Sequence, residues 1–400
     1  MTAATRIGML TPSSNTCQEP MTRRILADVA PGVSAHFSRI PVTSVSLEEE
    51  SSAQFCAEQL IAAACLLEDA KVDVVVWNGT AGSWLGLEHD RQICQAIEEA
   101  TGIPATSSTL ALFDAFRAYG VTSLGLAVPY TREVADRIGE VYSTAGVTVV
   151  ASHCLGITDN ESFARVSPDR IRRLVTCSAE GNAQAVAVVC TNVCAAPAIA
   201  GLEQQLGILV LDSVTVTLWK ALDLVNGAVA APGWGTLLAT GSTRARFQDV
   251  VDVLVAVTAA DRVTLRLDHL AARPLNVDYA VAEALRPGVR SIRHDGGLDQ
   301  RHLETVEWLE ARRRPLIQPQ FQDHPSPPAD LVELYGVRAQ MLSPLVRDDQ
   351  MIGWMSVHSV VERSWTDSDQ TALEFACQRI LDLLNAFDQS DGIPQRGWPS

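Results

Sequence analysis

The sequence predicts an α/β protein in which two similar lobes, each built on a parallel sheet, precede a smaller α+β region. Four observations lead to this class. Short apolar strands alternate with helical segments over the first 226 residues, as they do in βαβ units. Parts of this segment resemble each other, and after residue 226 the pattern changes. A chain of 400 residues also exceeds the roughly 250 to 300 residues at which one hydrophobic core stops growing.

Composition and charge exclude several functional classes. The formal net charge of −16 argues against binding to nucleic acid or to anionic membrane surfaces, which select for basic patches. No stretch approaches the ~20 apolar residues that cross a bilayer. The opening residues "MTAATRIGML" lead directly into a strand and lack the pattern of a cleavable leader. We therefore expect a cytoplasmic protein without nucleic-acid or membrane partners.

The first region contains apolar runs of strand length, separated by segments with helical periodicity. One of the helical segments is "SAQFCAEQLIAAACLLEDA" (52–70). Because parallel strands in such folds are buried on both faces, they read as nearly continuous hydrophobic runs. The predicted strands are 6–11, 72–77, 123–128, 146–151, 185–190 and 207–212.

An internal repeat is the most informative feature of this region. In each repeated segment a strand runs into a loop of small or hydroxyl-bearing residues. We match Gly79 with Cys190 at the two strand ends, which offsets the segments by one residue. Loops that follow parallel strands lie at the carboxyl edge of the sheet, where ligands bind in open α/β folds. All four loops are therefore expected to converge on one cleft. The pairs are "GMLTPSSNT" (8–16) with "GLAVPYTRE" (125–133), and "VVVWNGTAGS" (74–83) with "VAVVCTNVCA" (186–195).

The chemistry of these loops suits a carboxylate better than a phosphate or a sugar, because they combine backbone N–H groups with hydroxyl and amide side chains. No GxGxxG or P-loop occurs, so no nucleotide cofactor is expected. The nine cysteines are scattered without a CxxC pair, which predicts mostly free thiols and no metal site. The donor residues are Ser13, Ser14, Asn15, Thr16, Thr80, Tyr130, Thr131, Thr191 and Asn192.

After residue 226 the pattern changes. The small, glycine-rich and nearly uncharged segment 227–243 is expected to link two domains, the alternative being an extended flap of the first domain. The resulting domains are 1–226, the linker 227–243, 244–388, and a tail at 389–400.

The third region contains a helix at 246–257, a strand at 262–267 and a hairpin within 342–360 that turns at Asp348-Asp349-Gln350. Thr366 and Asp369 have the spacing of a capping box and predict the start of the last helix.

With these motifs in view, residues 1–226 resemble the aspartate/glutamate racemase superfamily, in the branch that holds maleate cis-trans isomerase and arylmalonate decarboxylase. The motifs occur in family order across the whole region. They are "TPSSNT", "GTAGSWLG", "VPYTREV", "ITDNESFARVSP" (157–168) and "VVCTN".

The third region resembles a GAF domain, chiefly through "AQMLSPLVRDDQMIGWMSVHS" and "SWTDSDQTALEFACQRI". The resemblance implies ligand binding or dimerisation, and we expect a homo-oligomer formed through this domain. No cysteine lies between Cys194 and Cys377, so a covalently bound chromophore is not expected.

The superfamily resemblance also implies site residues. Members commonly carry one cysteine at each of two symmetric strand ends, one for each face of the substrate. This chain has Gly79 at the first end and Cys190 at the second, as arylmalonate decarboxylase-like members do. The resemblance therefore implies a cofactor-independent decarboxylase of a malonate-type or related dicarboxylic acid. Thr80, Tyr130, Ser14 and the backbone of Ala81 would hold the retained carboxylate, and Cys190 would protonate the enediolate.

Several assignments remain open at this stage. Asn15 and Asn160 are candidates for binding the second carboxylate and are equally suited to capping their own loops. Ser13, Thr191 and Asn192 are further candidates for substrate binding, as are Gly79 and Ala81. A nearby helix start would favour the thiolate form of Cys190, whereas burial among apolar side chains would favour the thiol.

Two further cysteines lie in the repeated loops. Cys194 is a rival to Cys190 as the reactive thiol, and Cys17 is expected to pack under the first helix as a free thiol.

Two other functions compete with decarboxylation. In the first, another group replaces the missing cysteine and the chain is a cis-trans isomerase or racemase. In the second, the cleft is a non-catalytic sensor for an acid and the GAF-like domain reports its occupancy.

Overall fold

The structure is a computed structural model that describes residues 5–48, 53–226, 232–270, 273–297, 299–321 and 324–390. It divides into two compact units. Unit 1 comprises Met1–Phe116 and Val121–Ser242, and unit 2 comprises Arg117–Gly120 and Thr243–Ser400.

The first sheet of unit 1 is parallel and has the strand order β2-β1-β3-β4. Its two central strands are those that the sequence predicts. The two outer strands were not predicted, because β2 mixes polar and apolar residues and β4 is only three residues long. The strands are β1 (Arg6–Pro12), β2 (Ser34–Ile40), β3 (Val74–Trp77) and β4 (Ala105–Ser107).

The second sheet is also parallel, and its order β6-β5-β7-β8 repeats that of the first. The predicted pair of similar parallel-sheet lobes is thus confirmed. One boundary matters for the site: β7 ends at Val188, so Cys190 lies two residues beyond the strand and not within it. The strands are β5 (Ser123–Val128), β6 (Thr148–Cys154), β7 (Ala185–Val188) and β8 (Leu209–Asp212).

Helices separate these strands, as a parallel sheet requires. The helix predicted at 52–70 covers Ala57–Asp69; a short 3₁₀ turn, Ala53–Phe55, precedes it, and residues 51–52 lie outside the described chain. The helices are α1 (Gln18–Val29), α2 (Ala57–Asp69), α3 (Gly82–Leu85), α4 (Leu87–Thr101), α5 (Ser108–Tyr119), α6 (Arg132–Thr144), α7 (Asn160–Phe163), α8 (Pro168–Ser178), α9 (Ile199–Leu206) and α10 (Ser213–Asn226).

The segment expected to link the domains is partly helical. Residues 227–231 lie outside the described chain, but helix α11 (Thr236–Thr258) begins inside the predicted linker. Glu203 caps this helix, because its carboxylate accepts hydrogen bonds from the backbone N–H and the hydroxyl of Thr236, both at 2.8 Å. Leu237 and Leu238 are buried, which explains why this stretch folds as a helix and not as a flexible link.

Unit 2 contains a five-stranded antiparallel sheet in the order β12-β9-β15-β14-β13 and a two-stranded ribbon, β10-β11. The unit therefore has the α+β character that the sequence predicts. The strands are β9 (Arg262–Leu267), β10 (His269–Leu270), β11 (Arg273–Pro274), β12 (Ala282–Leu285), β13 (Leu316–Gln318), β14 (Ala339–Arg347) and β15 (Gln350–Ser359), and the remaining helices are α12 (Glu304–Arg312), α13 (Ala329–Glu333) and α14 (Asp367–Ser390).

Two local predictions in unit 2 are confirmed. Asp348 and Asp349 both have positive φ, 49° and 63°, as a tight two-residue hairpin turn requires. At the start of α14, the Asp369 N–H donates to the Thr366 hydroxyl and the Thr366 N–H donates to the Asp369 carboxylate, which is a capping box. Among the residues described, no helix has the length and apolar character needed to span a bilayer.

Candidate active site

The two loops of the repeat adopt corresponding positions. Gly79 lies two residues beyond β3 and Cys190 two residues beyond β7. Serine hydroxyls hold both strand ends: Ser108 donates to the carbonyl of Trp77 at 3.4 Å, and Ser213 donates to that of Val188 at 2.9 Å. The lobes therefore present Gly79 and Cys190 in equivalent settings.

A chain of hydrogen bonds joins Thr80, Tyr130 and Cys190. The hydroxyls of Thr80 and Tyr130 are 2.9 Å apart, and the Tyr130 hydroxyl is also hydrogen-bonded to the Cys190 sulfur. All three side chains are buried. They come from three separate segments of the chain, and the fold brings them together at the carboxyl ends of the strands, where the repeat predicts the cleft.

Burial decides the resting state of Cys190. It raises the pKa of the thiol to about 12, despite opposing contributions from the Tyr130 hydroxyl and from the backbone N–H groups of Asn192 and Val193. The nearby carboxyl of Asp212 raises it further. Cys190 is therefore a thiol at neutral pH and can donate a proton, while the same hydrogen-bond donors are placed to stabilise the thiolate that remains afterwards.

Burial also raises the pKa values of Tyr130 and Asp212. Desolvation, followed by the proximity of Cys190, holds the pKa of Tyr130 well above its ordinary range, so its hydroxyl remains a hydrogen-bond donor. Burial raises the pKa of Asp212 to about 7, even though one of its oxygens accepts 3.0 Å hydrogen bonds from the backbone N–H groups of Val214 and Thr215.

The indole of Trp77 occupies the space beside Gly79. A Cβ atom on residue 79 would overlap with the Cζ2 and Cε2 atoms of this ring and would lie 2.7 Å from its Nε1. Trp77 is itself fully buried as the last residue of β3. The packing of Trp77 therefore leaves no space for a cysteine, or for any other side chain, at position 79.

Aromatic side chains form a wall next to the reactive groups. Phe55 packs against Trp77 and Trp84, with ring centroids 6.4 and 5.9 Å apart, and Tyr130 packs edge-on against Trp84 and Phe163, both at 5.4 Å. Within the described residues, the indole N–H groups of Trp77 and Trp84 have no hydrogen-bond partner. The wall is therefore apolar but carries two free donors.

The other predicted binding residues form a network between the lobes. Asn15 donates to the Thr191 hydroxyl at 3.1 Å, and Asn160 donates to the Ser14 hydroxyl at 2.7 Å. Asn192 accepts from the backbone N–H of Thr16 and donates to the carbonyl of Asn160, which ties the two loops together.

Some of the predicted residues also cap local structure. The Asn15 side chain accepts from the backbone N–H groups of Cys17 and Gln18, so it caps α1 as the local alternative predicts. Ser13, which is exposed, accepts from the backbone N–H of Val42. Gly79 and Ala81 are buried in the loop that carries Thr80.

The prediction of free thiols at Cys17 and Cys194 is wrong. The two residues, 177 positions apart in sequence and 5.8 Å apart at Cα, form a disulfide. They meet because Asn192 accepts hydrogen bonds from the N–H groups of Thr16 and Cys17, which draws the two loops together. This pairing removes Cys194 as a rival to Cys190, which is a free thiol.

Sequence reasoning did not identify Ser213, Asp212 or Phe163 as part of the site. The hydroxyl of Ser213 accepts from the backbone N–H of Cys190 at 3.1 Å and so fixes the loop. The repeat could have found it, because Ser108 and Ser213 each begin a helix directly after the last strand of their lobe. No local signal marks Phe163, since its role depends on long-range packing.

Residues 33–238 match the family model described as arylmalonate decarboxylase, which is more than half of the chain. The chain belongs to the arylmalonate decarboxylase family. Residues 242–381 match the model of the GAF domain. The family match covers every strand of the two parallel sheets except β1, and it includes the Thr80, Tyr130 and Cys190 loops; the GAF match covers the antiparallel sheet of unit 2.

Characterised relatives of this family member include both kinds of enzyme that the resemblance implies. A maleate isomerase from Geobacillus stearothermophilus is 29% identical over 244 residues, which is 58% of this chain and 96% of the relative. An arylmalonate decarboxylase from Bordetella bronchiseptica is 29% identical over 184 residues, 45% of this chain and 77% of the relative.

Solved structures agree with this assignment. A maleate isomerase from Pseudomonas putida S16, crystallised as a cysteine-to-alanine variant with maleate, has a TM-score of 0.55 at 25% identity and covers 59% of this chain and 97% of its own. A second structure is that of arylmalonate decarboxylase in a liganded form, with one glycine changed to cysteine and one cysteine changed to serine. It has a TM-score of 0.54 at 25% identity and covers 60% of this chain and 100% of its own.

Proposed function

We propose that this protein is a cofactor-independent decarboxylase of a small malonate-type or related dicarboxylic acid, with Cys190 as the proton donor. The observation that carries the proposal is the packing of Trp77 against Gly79, which leaves one thiol at the two symmetric strand ends. A two-base racemisation needs an acid or base on each face of the substrate, whereas decarboxylation needs one proton donor on one face. The family relatives support an enzyme that acts on a small acid.

The proposed reaction starts with one substrate carboxylate held by the hydroxyls of Thr80 and Tyr130 and by the backbone N–H of Ala81. The second carboxylate lies against the aromatic wall, where its charge is poorly solvated and loss of CO2 is favoured. The C–C bond breaks and its electron pair enters the enediolate of the retained carboxylate, which the donors stabilise.

Cys190 then transfers its S–H proton to the carbanion carbon. The thiolate that remains lies near the Tyr130 hydroxyl and the N–H groups of Asn192 and Val193, and it regains a proton from solvent. The net change is one carboxylate and one proton exchanged for CO2 and a new C–H bond. Because the reactive groups are buried, substrate entry requires movement of the surrounding loops.

Isomerisation of a maleate-type acid is the alternative, supported by the maleate isomerase relatives. A non-catalytic sensor is less well supported, because the hydrogen-bonded residues from Thr80 to Cys190 include both the hydroxyl donors and the thiol that the proposed reaction requires. A panel of disubstituted malonates and maleate, assayed for CO2 release and for fumarate by proton NMR, tests these functions. CO2 release that depends on Cys190 supports decarboxylation, and fumarate formation without CO2 contradicts it.

We further propose that the GAF domain joins two copies of the chain. Its helices carry large apolar side chains that are unusually exposed: Val253 and Val257, one turn apart on α11, are 62% and 63% exposed, and Phe375 on α14 is 74% exposed. Exposed apolar patches on helices are typical of protein interfaces.

A further inference from the structure

The disulfide between Cys17 and Cys194 joins the two lobes of unit 1 close to the reactive thiol. Cys17 lies immediately before α1, in the loop that follows β1 of the first sheet. Cys194 lies four residues after Cys190, in the loop that follows β7 of the second sheet. The disulfide therefore ties the segment that carries Cys190 to the opposite lobe.

Hydrogen bonds join the same two loops independently of the sulfur atoms. The side-chain oxygen of Asn192 accepts from the backbone N–H groups of Thr16 and Cys17, at 3.0 and 3.1 Å. The hydroxyl of Thr191 accepts from the Asn15 amide at 3.1 Å. These bonds keep the two cysteines close together after the disulfide has been reduced, so the disulfide can form again.

The reactive groups are closed off from solvent, since Thr80, Tyr130 and Cys190 are only 6%, 2% and 3% exposed. A substrate reaches them when the surrounding loops move apart. Single hydrogen bonds between loops contribute little net stability and do not prevent such movement. A disulfide opens only by slow exchange with another thiol. In the oxidised chain, the disulfide therefore limits how far the Cys190 loop can move away from the first lobe.

The two sulfur atoms differ in exposure and in surroundings. Cys194 is partly exposed, whereas Cys17 is 2% exposed and lies at the N-terminus of α1. An incoming thiolate therefore reaches the Cys194 sulfur first, and Cys17 is the leaving group. The positive end of the helix stabilises the thiolate that forms on Cys17, which favours this direction of attack.

We propose that the Cys17–Cys194 pair is a redox modification site that controls access to Cys190, with a dithiol as its reductant. In the disulfide state the two loops are tied together and the site is closed. In the reduced state the loops separate more readily and admit the substrate. The proposal rests on Cys190 being the reactive residue but not on decarboxylation being its reaction.

The exchange transfers two electrons and two protons from the dithiol to the protein. One thiolate of the reductant forms a mixed disulfide with Cys194 and releases Cys17, which takes up a proton. The second thiol of the reductant attacks the mixed disulfide, releases Cys194 as a thiol and leaves the reductant as a cyclic disulfide. Oxidation of the protein by a disulfide compound is the reverse of this exchange.

The test compares the full chain before and after reduction by dithiothreitol. Denatured oxidised protein should contain seven free thiols, because two of the nine cysteines are paired, and reduced protein nine. Hydrogen–deuterium exchange of the backbone N–H groups in residues 13–17 and 190–195 should become at least tenfold faster on reduction. After the reductant is removed, iodoacetamide should also alkylate Cys190 at least tenfold faster, as measured by peptide mass spectrometry. Neither rate requires a substrate, so these measurements can fail independently of the proposed decarboxylation.

Two variants serve as controls. Cys17→Ser combined with Cys194→Ser should behave as the reduced wild type with or without dithiothreitol. Cys65→Ser removes a free thiol on α2 and should retain the full response to reduction. Circular dichroism checks that both variants are folded.

Three results would overturn the proposal. The first is that the aerobically purified chain yields no cross-linked peptide containing Cys17 and Cys194. The second is that Cys190 is alkylated equally fast in the oxidised and the reduced wild type. The third is that dithiothreitol accelerates exchange in the double variant as much as in the wild type.

Discussion

The indole of Trp77 fills the space that a side chain on Gly79 would require. Trp77 ends β3 and Gly79 lies two residues beyond it, and their packing determines how many thiols the two symmetric strand ends can carry. The symmetric partner of Gly79 is Cys190, which keeps its thiol. The asymmetry of the site is therefore built into its packing, since position 79 has no room for a second cysteine.

This packing predicts the outcome of adding the second thiol. Gly79→Cys alone must displace the buried Trp77 ring, so we expect a melting temperature several degrees lower and decarboxylation reduced at least tenfold. Trp77→Ala with Gly79→Cys provides room, and should recover part of the stability lost by the single variant. Deuterium exchange at C2 of the product acid, followed by NMR, should appear only in the double variant. Equal exchange by Gly79→Cys alone would show that the indole is no barrier.

The hydroxyls of Thr80 and Tyr130 are predicted to stabilise the enediolate. Thr80→Val preserves the shape of the side chain and removes its hydroxyl, so kcat should fall roughly 10²- to 10³-fold with a smaller change in KM. Thr80→Ser, which restores a hydroxyl, should recover most of the rate. Thr144→Val, the same substitution at an exposed position of α6, is the matched control and should leave kcat within twofold. A Thr80→Val enzyme with normal kcat would exclude this role.

The pKa of Cys190 predicts an unusual pH profile. A general acid acts in its protonated form, so the rate is constant below its pKa and falls above it. With the thiol pKa raised to about 12, kcat should stay level from pH 8 to pH 10, where an ordinary cysteine would already be ionised. Stopped-assay measurements of kcat across this range test the point. A decline in kcat with a midpoint between pH 8 and 9 would contradict the proposed protonation state.

Asp212 should make folding stability depend on pH. Its folded-state pKa of about 7 lies above the unfolded value of about 3.9, so the folded state holds the extra proton between these values. Its contribution to the free energy of unfolding is therefore fully present below pH 4. This contribution is lost as the pH rises towards 7, by up to about 1.4 kcal/mol per pH unit.

Asp212→Asn keeps an oxygen for the N–H groups of Val214 and Thr215 but does not titrate. The variant should gain free energy of unfolding relative to the wild type as the pH rises from 5 to 8, as measured by urea denaturation. A difference between the two proteins that does not change with pH would refute this assignment.

The exposed side chains of the GAF domain predict its role in assembly. Phe375→Asp, or Val253→Glu with Val257→Glu, should shift the mass measured by light scattering from a dimer to a monomer. Leu66→Glu changes an apolar residue of unit 1 that is 66% exposed, and it should leave the mass unchanged. A monomeric wild-type protein would rule out dimerisation through the GAF domain.

Much of the fold follows from local sequence pattern. The central strands of both sheets are continuous apolar runs, and the repeat relates Gly79 to Cys190 without any structural information. The hairpin turn and the capping box are equally local, because short-range hydrogen bonds and backbone conformation determine them. The outer strand β4 was missed because a strand of three residues is too short to show a recognisable hydrophobic pattern.

The parts of the site that were missed depend on distant packing. The disulfide of Cys17 with Cys194 joins loops 177 residues apart, and no spacing rule identifies such a pair. The overlap of Trp77 with position 79 likewise depends on the direction of one side chain. The state of Cys190 could not be decided from sequence, because it results from a balance between burial and local donors.

The most direct test of the central claim is turnover of a prochiral disubstituted malonate in D2O by the wild type and by Cys190→Ala. The account predicts CO2 release with one deuterium at C2 and a single enantiomer of product. It also predicts a loss of about 10²- to 10⁴-fold in rate for the variant, the usual contribution of a general acid. Undiminished turnover by Cys190→Ala, or a racemic product from the wild type, would contradict the claim that Cys190 protonates one face of the intermediate.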